Sequence, residues 1–84
     1  MTTQSASTPV RPLHVIAAEI KANWKNVYFG AEPYIAAMAQ LDAITDNFYE
    51  DDGRSVVRYF LSNATYWRGD VAKRVKAELK GMLS

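Results

Sequence analysis

The fold turns on residues 53–70, GRSVVRYFLSNATYWRGD. Val56, Val57, Phe60, Leu61 and Ala64 recur there at three- and four-residue steps, with Tyr59 and Tyr66 on the flanks. That is helical spacing. Only Arg54, Ser55, Arg58, Ser62 and Asn63 make a narrow polar edge. A helix apolar over most of its circumference belongs between neighbours, so the spacing predicts a helix from about 53 to 66 at the centre of the domain. Two short patterns inside the stretch match a glycosylation acceptor, Asn63-Ala64-Thr65, and an adhesion tripeptide, Arg68-Gly69-Asp70. Both read better as a boundary. Asn63 continues a helical pattern, Gly69 interrupts it, and Asp70 suits the positive end of the next helix.

Downstream, a last helix is expected from about 70 to 82. Val71, Val75, Leu79 and Met82 point inward, and Lys73, Arg74, Lys76 and Lys80 point out. Upstream lies TDNFYEDDG (residues 45–53), with carboxylates at Asp46, Glu50, Asp51 and Asp52. A calcium loop needs oxygen ligands at alternate positions and a closing acid six residues beyond its glycine. Phe48 and Tyr59 occupy the first and closing positions, so that reading fails. Asp51 or Asp52 is expected instead to cap the helix that follows.

Further upstream, Glu32-Pro33 fits the first turn of a helix running to Ile44 or Asp46, with Tyr34, Ala37, Met38, Leu41 and Ile44 inward. Gly30 fits the turn before it. A first helix is expected from Pro12 to about Asn26, its stripe made by Leu13, Ile16, Ala17, Ile20, Trp24 and Val27. His14 lies off that stripe and reads as a solvated surface residue. Residues 1–10, rich in Thr and Ser and closing on Pro9 and Val10, read as a flexible arm. The predicted fold is therefore all-α. It is a small bundle of four short helices, or three plus a C-terminal arm helix, in a single helical domain over residues 11–84 behind that flexible N-terminal arm.

With 84 residues and no cysteine, neither disulfides nor thiolate zinc can support this fold. Packed apolar side chains must do so. Ten aromatics among 49% hydrophobic residues are generous for so small a core, and a domain this size leaves roughly 40% of its unfolded-chain surface exposed. Some aromatic surface is therefore expected at a partner interface. Trp24, Tyr28, Phe29, Tyr34, Tyr66 and Trp67 are the candidates.

The formal charge is +1, unevenly placed. Residues 1–53 carry three basic and seven acidic side chains; residues 54–84 carry seven and two. The expectation is that the acidic middle lies beside the basic end. Should it not, Arg68, Lys73, Arg74, Lys76 and Lys80 become candidates for contacting nucleic-acid phosphates. The third and fourth helices would then act as a helix-turn-helix-like pair.

Catalysis needs a base, nucleophile or metal held in a concave site. One histidine, no cysteine and no Gly-rich phosphate loop predict a non-enzyme without catalytic residues, metal, cofactor or small-molecule substrate. No apolar run approaches the roughly 18–20 residues of a membrane span. The first residues lack the pattern of a secretory signal, so a cytoplasmic setting without membrane contact is expected.

Two segments carry a family resemblance: WKNVYFGAEPYIAAM (24–38) and VVRYFLSNATYWRGDVAKRVKAELKGML (56–83). Together they resemble small uncharacterised proteins of actinobacteriophages, mycobacteriophage type, over about residues 13–83. The resemblance brings no activity or binding residues. It implies a setting: an accessory protein in a bacterial host cell that acts through protein–protein interaction, with a host protein or as a homodimer, or accompanies phage DNA.

Overall fold

The computed structural model describes residues 10–83. The expected arm, except exposed Val10, lies outside the described residues. Four helices follow: α1 (Leu13–Asn23), α2 (Glu32–Met38), α3 (Gly53–Ser62) and α4 (Asp70–Leu83). Between α2 and α3 sits a two-stranded antiparallel hairpin, β1 (Asn47–Phe48) and β2 (Asp51–Asp52), pairing Asn47 with Asp52 and Phe48 with Asp51. The chain is thus mostly helical rather than strictly all-α.

α1 buries the expected stripe of Leu13, Ile16, Ala17 and Ile20. Its first free N–H groups find partners across the fold: Leu13 N–H donates to the Asp42 carbonyl at 2.8 Å and His14 N–H to that of Leu41 at 2.9 Å. Such orphan donors must be satisfied somewhere, and here the chain after α2 does it. The same contact explains why α2 stops at Met38 rather than reaching Ile44. Gln40 and Leu41 N–H groups turn back to Ala37 and Met38 at 3.0 Å each, which tightens the chain. Leu41 is thereby brought into the core and its carbonyl aimed at α1. In α2, Ile35 rather than Tyr34 is the fully packed residue of the first turn; Tyr34 is half-buried.

Aspartates organise the hairpin region. Asp46 Oδ2 accepts from the N–H groups of Asp42 and Ala43 at 3.1 and 3.0 Å, and its carbonyl accepts from Gly53 at 2.7 Å. Asp52 caps α3, accepting from Ser55 N–H at 2.8 Å; that bond, and then one to the Ser55 hydroxyl, holds its carboxyl below the usual range. α3 ends at Ser62, a turn short of Tyr66, because side chains take its last carbonyls. The Ser62 hydroxyl donates to Arg58 O at 3.1 Å and Asn63 Nδ2 to Tyr59 O at 2.8 Å. Gly69 then takes φ 112°, a conformation glycine adopts freely, and α4 begins.

α1 packs on α2, α2 on α3, α3 on α4 and α4 on α1, so the helices close a ring. α3 is a member of it, not its centre: Val56, Val57 and Phe60 are buried, while Tyr59 is exposed and Leu61 only half-buried. An aromatic knot joins three sides of the ring. Trp24 stacks on Trp67 with centroids 5.8 Å apart, and each meets Phe60 edge-on, at 6.4 and 6.3 Å. α1 and α3 both begin at the end holding Asp42 and the acidic hairpin and finish at the end holding Trp67, where α4 starts.

Candidate interaction surfaces

The aromatic candidates divide between core and surface. Trp24 and Trp67 are buried in the knot; Trp67, 2% exposed, donates its indole N–H to Asn23 Oδ1 at 2.8 Å. They hold the fold and offer no surface. Phe29 and Tyr66 are 76% and 70% exposed. Tyr28, half-buried, lies between them, with ring centroids 4.8 Å from Phe29 and 5.6 Å from Tyr66. The loop before α2 and the loop before α4 thus jointly present one aromatic face. Tyr34 instead pairs with Tyr59 at 5.5 Å. That pair is near neighbour to the face: a Cβ built on Gly30 would lie 2.6 Å from the Tyr28 ring and 2.8 Å from Asn63 Oδ1, and Asn63 reaches Tyr59.

The basic candidates also divide. Arg68, Lys73, Lys76 and Lys80 line one open depression of about 660 Å³, together with Thr65, Trp67 and Ala77 and a single acid, Asp70. Lys76 donates to the Trp67 carbonyl at 2.6 Å. Burial, and then the charges of Lys80 and Arg68, lower its pKa. Arg74 turns the other way. It hydrogen-bonds Glu19 of α1, which Arg11 also engages at 2.9 Å while reaching Glu78 at 2.6 Å. Arg74 and then Arg11 hold the Glu19 carboxyl below its usual value; the Glu78 hydrogen bond leads in raising Arg11.

This network corrects the expected charge arrangement. Arg74 of the basic helix pairs with Glu19 of α1 rather than with an acid of residues 42–52, and Glu78 of α4 pairs with Arg11. In the acidic region Asp42 pairs with His14 Nε2 at 2.9 Å, so His14 is a surface residue with an acidic partner. Asp46 and Asp52 serve backbone groups. The helix-turn-helix-like expectation also changes. Seven residues, 63–69, separate α3 from α4, whereas that motif uses a turn of about three to four.

Two features were missed in the sequence. Tyr49, at the hairpin tip, is 90% exposed with φ 57°; FYED contains none of the Asn-Gly or Asp-Gly pairs that flag a hairpin. The ring closure of the four helices depends on tertiary contacts alone. Among the described residues, no group of three or more His, Asp or Glu side chains could hold a metal ion, and no helix is long and apolar enough to cross a membrane. Compared with known protein families, curated proteins and solved structures, the chain shows no significant match.

Proposed function

We propose that this chain is a non-enzymatic interaction module, a small phage-type accessory protein that acts by binding another protein through the face formed by Phe29, Tyr28 and Tyr66. The carrying observation is the exposure of two large aromatic rings on adjacent loops, joined through a third. Aromatics so placed are characteristic of interface centres, where they contribute much contact area at low entropic cost. The resemblance to actinobacteriophage proteins supports a bacterial host protein as the partner and the host cytoplasm as the setting.

A capture experiment tests this. Immobilised wild type is expected to retain one or a few proteins from a bacterial lysate, and the double variant Phe29→Ser, Tyr66→Ser should lose them while keeping its circular-dichroism spectrum. Identical retention by both would overturn the assignment.

Nucleic-acid binding is the second reading, favoured by the convergence of Arg68, Lys73, Lys76 and Lys80 on one depression. Arg74, engaged by Glu19, drops out of the expected set. Phosphate contacts of this kind weaken steeply with salt. The absence of duplex or single-strand binding at about 50 mM salt would remove this reading.

A further inference from the structure

We infer that the aromatic face and the basic depression form one docking surface for an acidic peptide segment of a partner protein. A bulky apolar side chain of that segment packs against Phe29 and Tyr66, and neighbouring carboxylates meet Arg68 and Lys73. This rests on the reading that the aromatic face binds a protein, and it adds the chemistry of the bound segment.

The two features are continuous. Tyr66 lines an open depression of about 420 Å³ together with Asn23, Lys25 and Asn26. Trp67 and Arg68 line both this depression and the basic one, so the two meet along that dipeptide. Trp67 is buried and anchors the loop, while Tyr66 and Arg68 on either side of it are exposed. Two positions apart in the chain, Tyr66 and Arg68 have Cα atoms no more than about 7.6 Å from each other. One bound segment reaches both.

Charge selects the chemistry of that segment. Among the cations of α4 and the loop before it, Arg74 is held by Glu19, and Lys80 is engaged within the molecule. Arg68 and Lys73 differ. Both are exposed, and their side chains make no hydrogen bond or ion pair with any described residue. Lys76, in the same depression, gives one of its three donors to the Trp67 carbonyl at 2.6 Å. Burial, followed by the charges of Lys80 and Arg68, lowers its pKa. A carboxylate entering the depression relieves that repulsion and gains charge-assisted hydrogen bonds.

The rings and one acid favour a peptide over a nucleic acid. Phe29 and Tyr66 lean on Tyr28 at 52° and 63°. Such a tilted cluster packs around an apolar side chain, whereas successive bases stack on separate open ring faces. Asp70 also lines the basic depression, and it falls between Arg68 and Lys73 in the chain. A strand with a phosphate on every unit sets one of them near that carboxylate, an unfavourable pairing of like charges. A peptide places a neutral residue there.

Selection of a displayed library of random short peptides on the immobilised full chain tests this. Enriched peptides are expected to combine several Asp or Glu residues with an aromatic or leucine side chain. They should bind roughly tenfold more weakly at about 500 mM salt than at about 50 mM. The double variants Arg68→Ser, Lys73→Ser and Phe29→Ser, Tyr66→Ser should each weaken the same peptides roughly tenfold or more. All four side chains are exposed, so both variants should keep the wild-type circular-dichroism spectrum. Enrichment of neutral peptides, indifferent to salt and to Arg68→Ser, Lys73→Ser, would overturn the inference. If those peptides are still lost on Phe29→Ser, Tyr66→Ser, the proposed function stands without it. Acidic peptides indifferent to the aromatic variant would also overturn it, because the two features would then act separately. So would a library that yields no enriched peptide, or single-stranded DNA that binds through Arg68 and Lys73 more tightly than any selected peptide.

Discussion

Trp67 lies stacked on Trp24, planes within 13° of each other, although the two residues are separated by the whole of α2, the hairpin and α3. Each side chain closes the ring from a different loop. The Asn23 amide oxygen fixes the Trp67 indole by accepting its N–H. Trp67→Ala should therefore cost about 3–5 kcal/mol, close to the whole stability of so small a domain. Asn23→Ala should cost about 1–3 kcal/mol by orphaning a buried donor. Urea denaturation followed by circular dichroism measures both, and a Trp67→Ala loss under about 1 kcal/mol would show that the knot does not hold the ring closed.

How far the sequence carried this fold follows from the same contacts. The apolar stripe of α1 and the Asp52 cap were legible because each depends on residues a few positions apart. The end of α2 was not, since Leu41 and Asp42 are drawn away by the N–H groups of His14 and Leu13 far earlier in the chain, and no local pattern records that. The surface was read less well for a similar reason. Trp24 falls on the α1 stripe and is buried by Trp67 and Phe60, whereas Trp67, off any such stripe, is drawn in by contacts with Trp24 and Asn23 from the other end of the chain.

Two glycines should respond in opposite directions. A Cβ at Gly53 would lie 2.5 Å from the Ile44 carbonyl oxygen, a backbone atom. Gly53→Ala should thus cost about 1–3 kcal/mol through forced displacement of the α3 start. At Gly81, inside α4, a Cβ would meet nothing within 4 Å. Gly81→Ala should stabilise by about 0.5–1 kcal/mol. Thermal melts of the two variants beside wild type decide both.

Tyr49→Gly tests the conformation of the hairpin tip. Releasing a side chain from φ 57° should raise stability by up to about 1 kcal/mol. Thermal melts of the variant beside wild type measure this. A melting temperature below that of wild type would mean that the Tyr49 ring, through its contact with Phe48, supports the hairpin more than its backbone conformation costs.

The exposed aromatic face should be nearly silent in folding. Phe29 and Tyr66 each leave most of their surface in water, so Phe29→Ser and Tyr66→Ser should change stability by no more than about 0.5 kcal/mol. A cost above about 2 kcal/mol for either would place that ring in the fold's own support and remove it from the interface.

Glu19 supplies the pH prediction. It is half-buried between Arg74 and Arg11, and both lower its pKa below the ordinary value, Arg74 more. A carboxyl with a depressed folded-state pKa binds its proton more weakly in the native chain than in the unfolded one. Its contribution is therefore fully present above the unfolded value of about 4.3 and disappears as pH falls through the lower folded value. Glu19→Gln should be less stable than wild type at pH 7, and the gap should shrink steadily below about pH 4.3 as wild-type Glu19 also loses its charge. Melting temperatures of both proteins, measured from about pH 7 down to about pH 3, test this. A gap that stays constant across the range would mean the ion pairs to Arg11 and Arg74 contribute nothing, and that the substitution acts through packing alone.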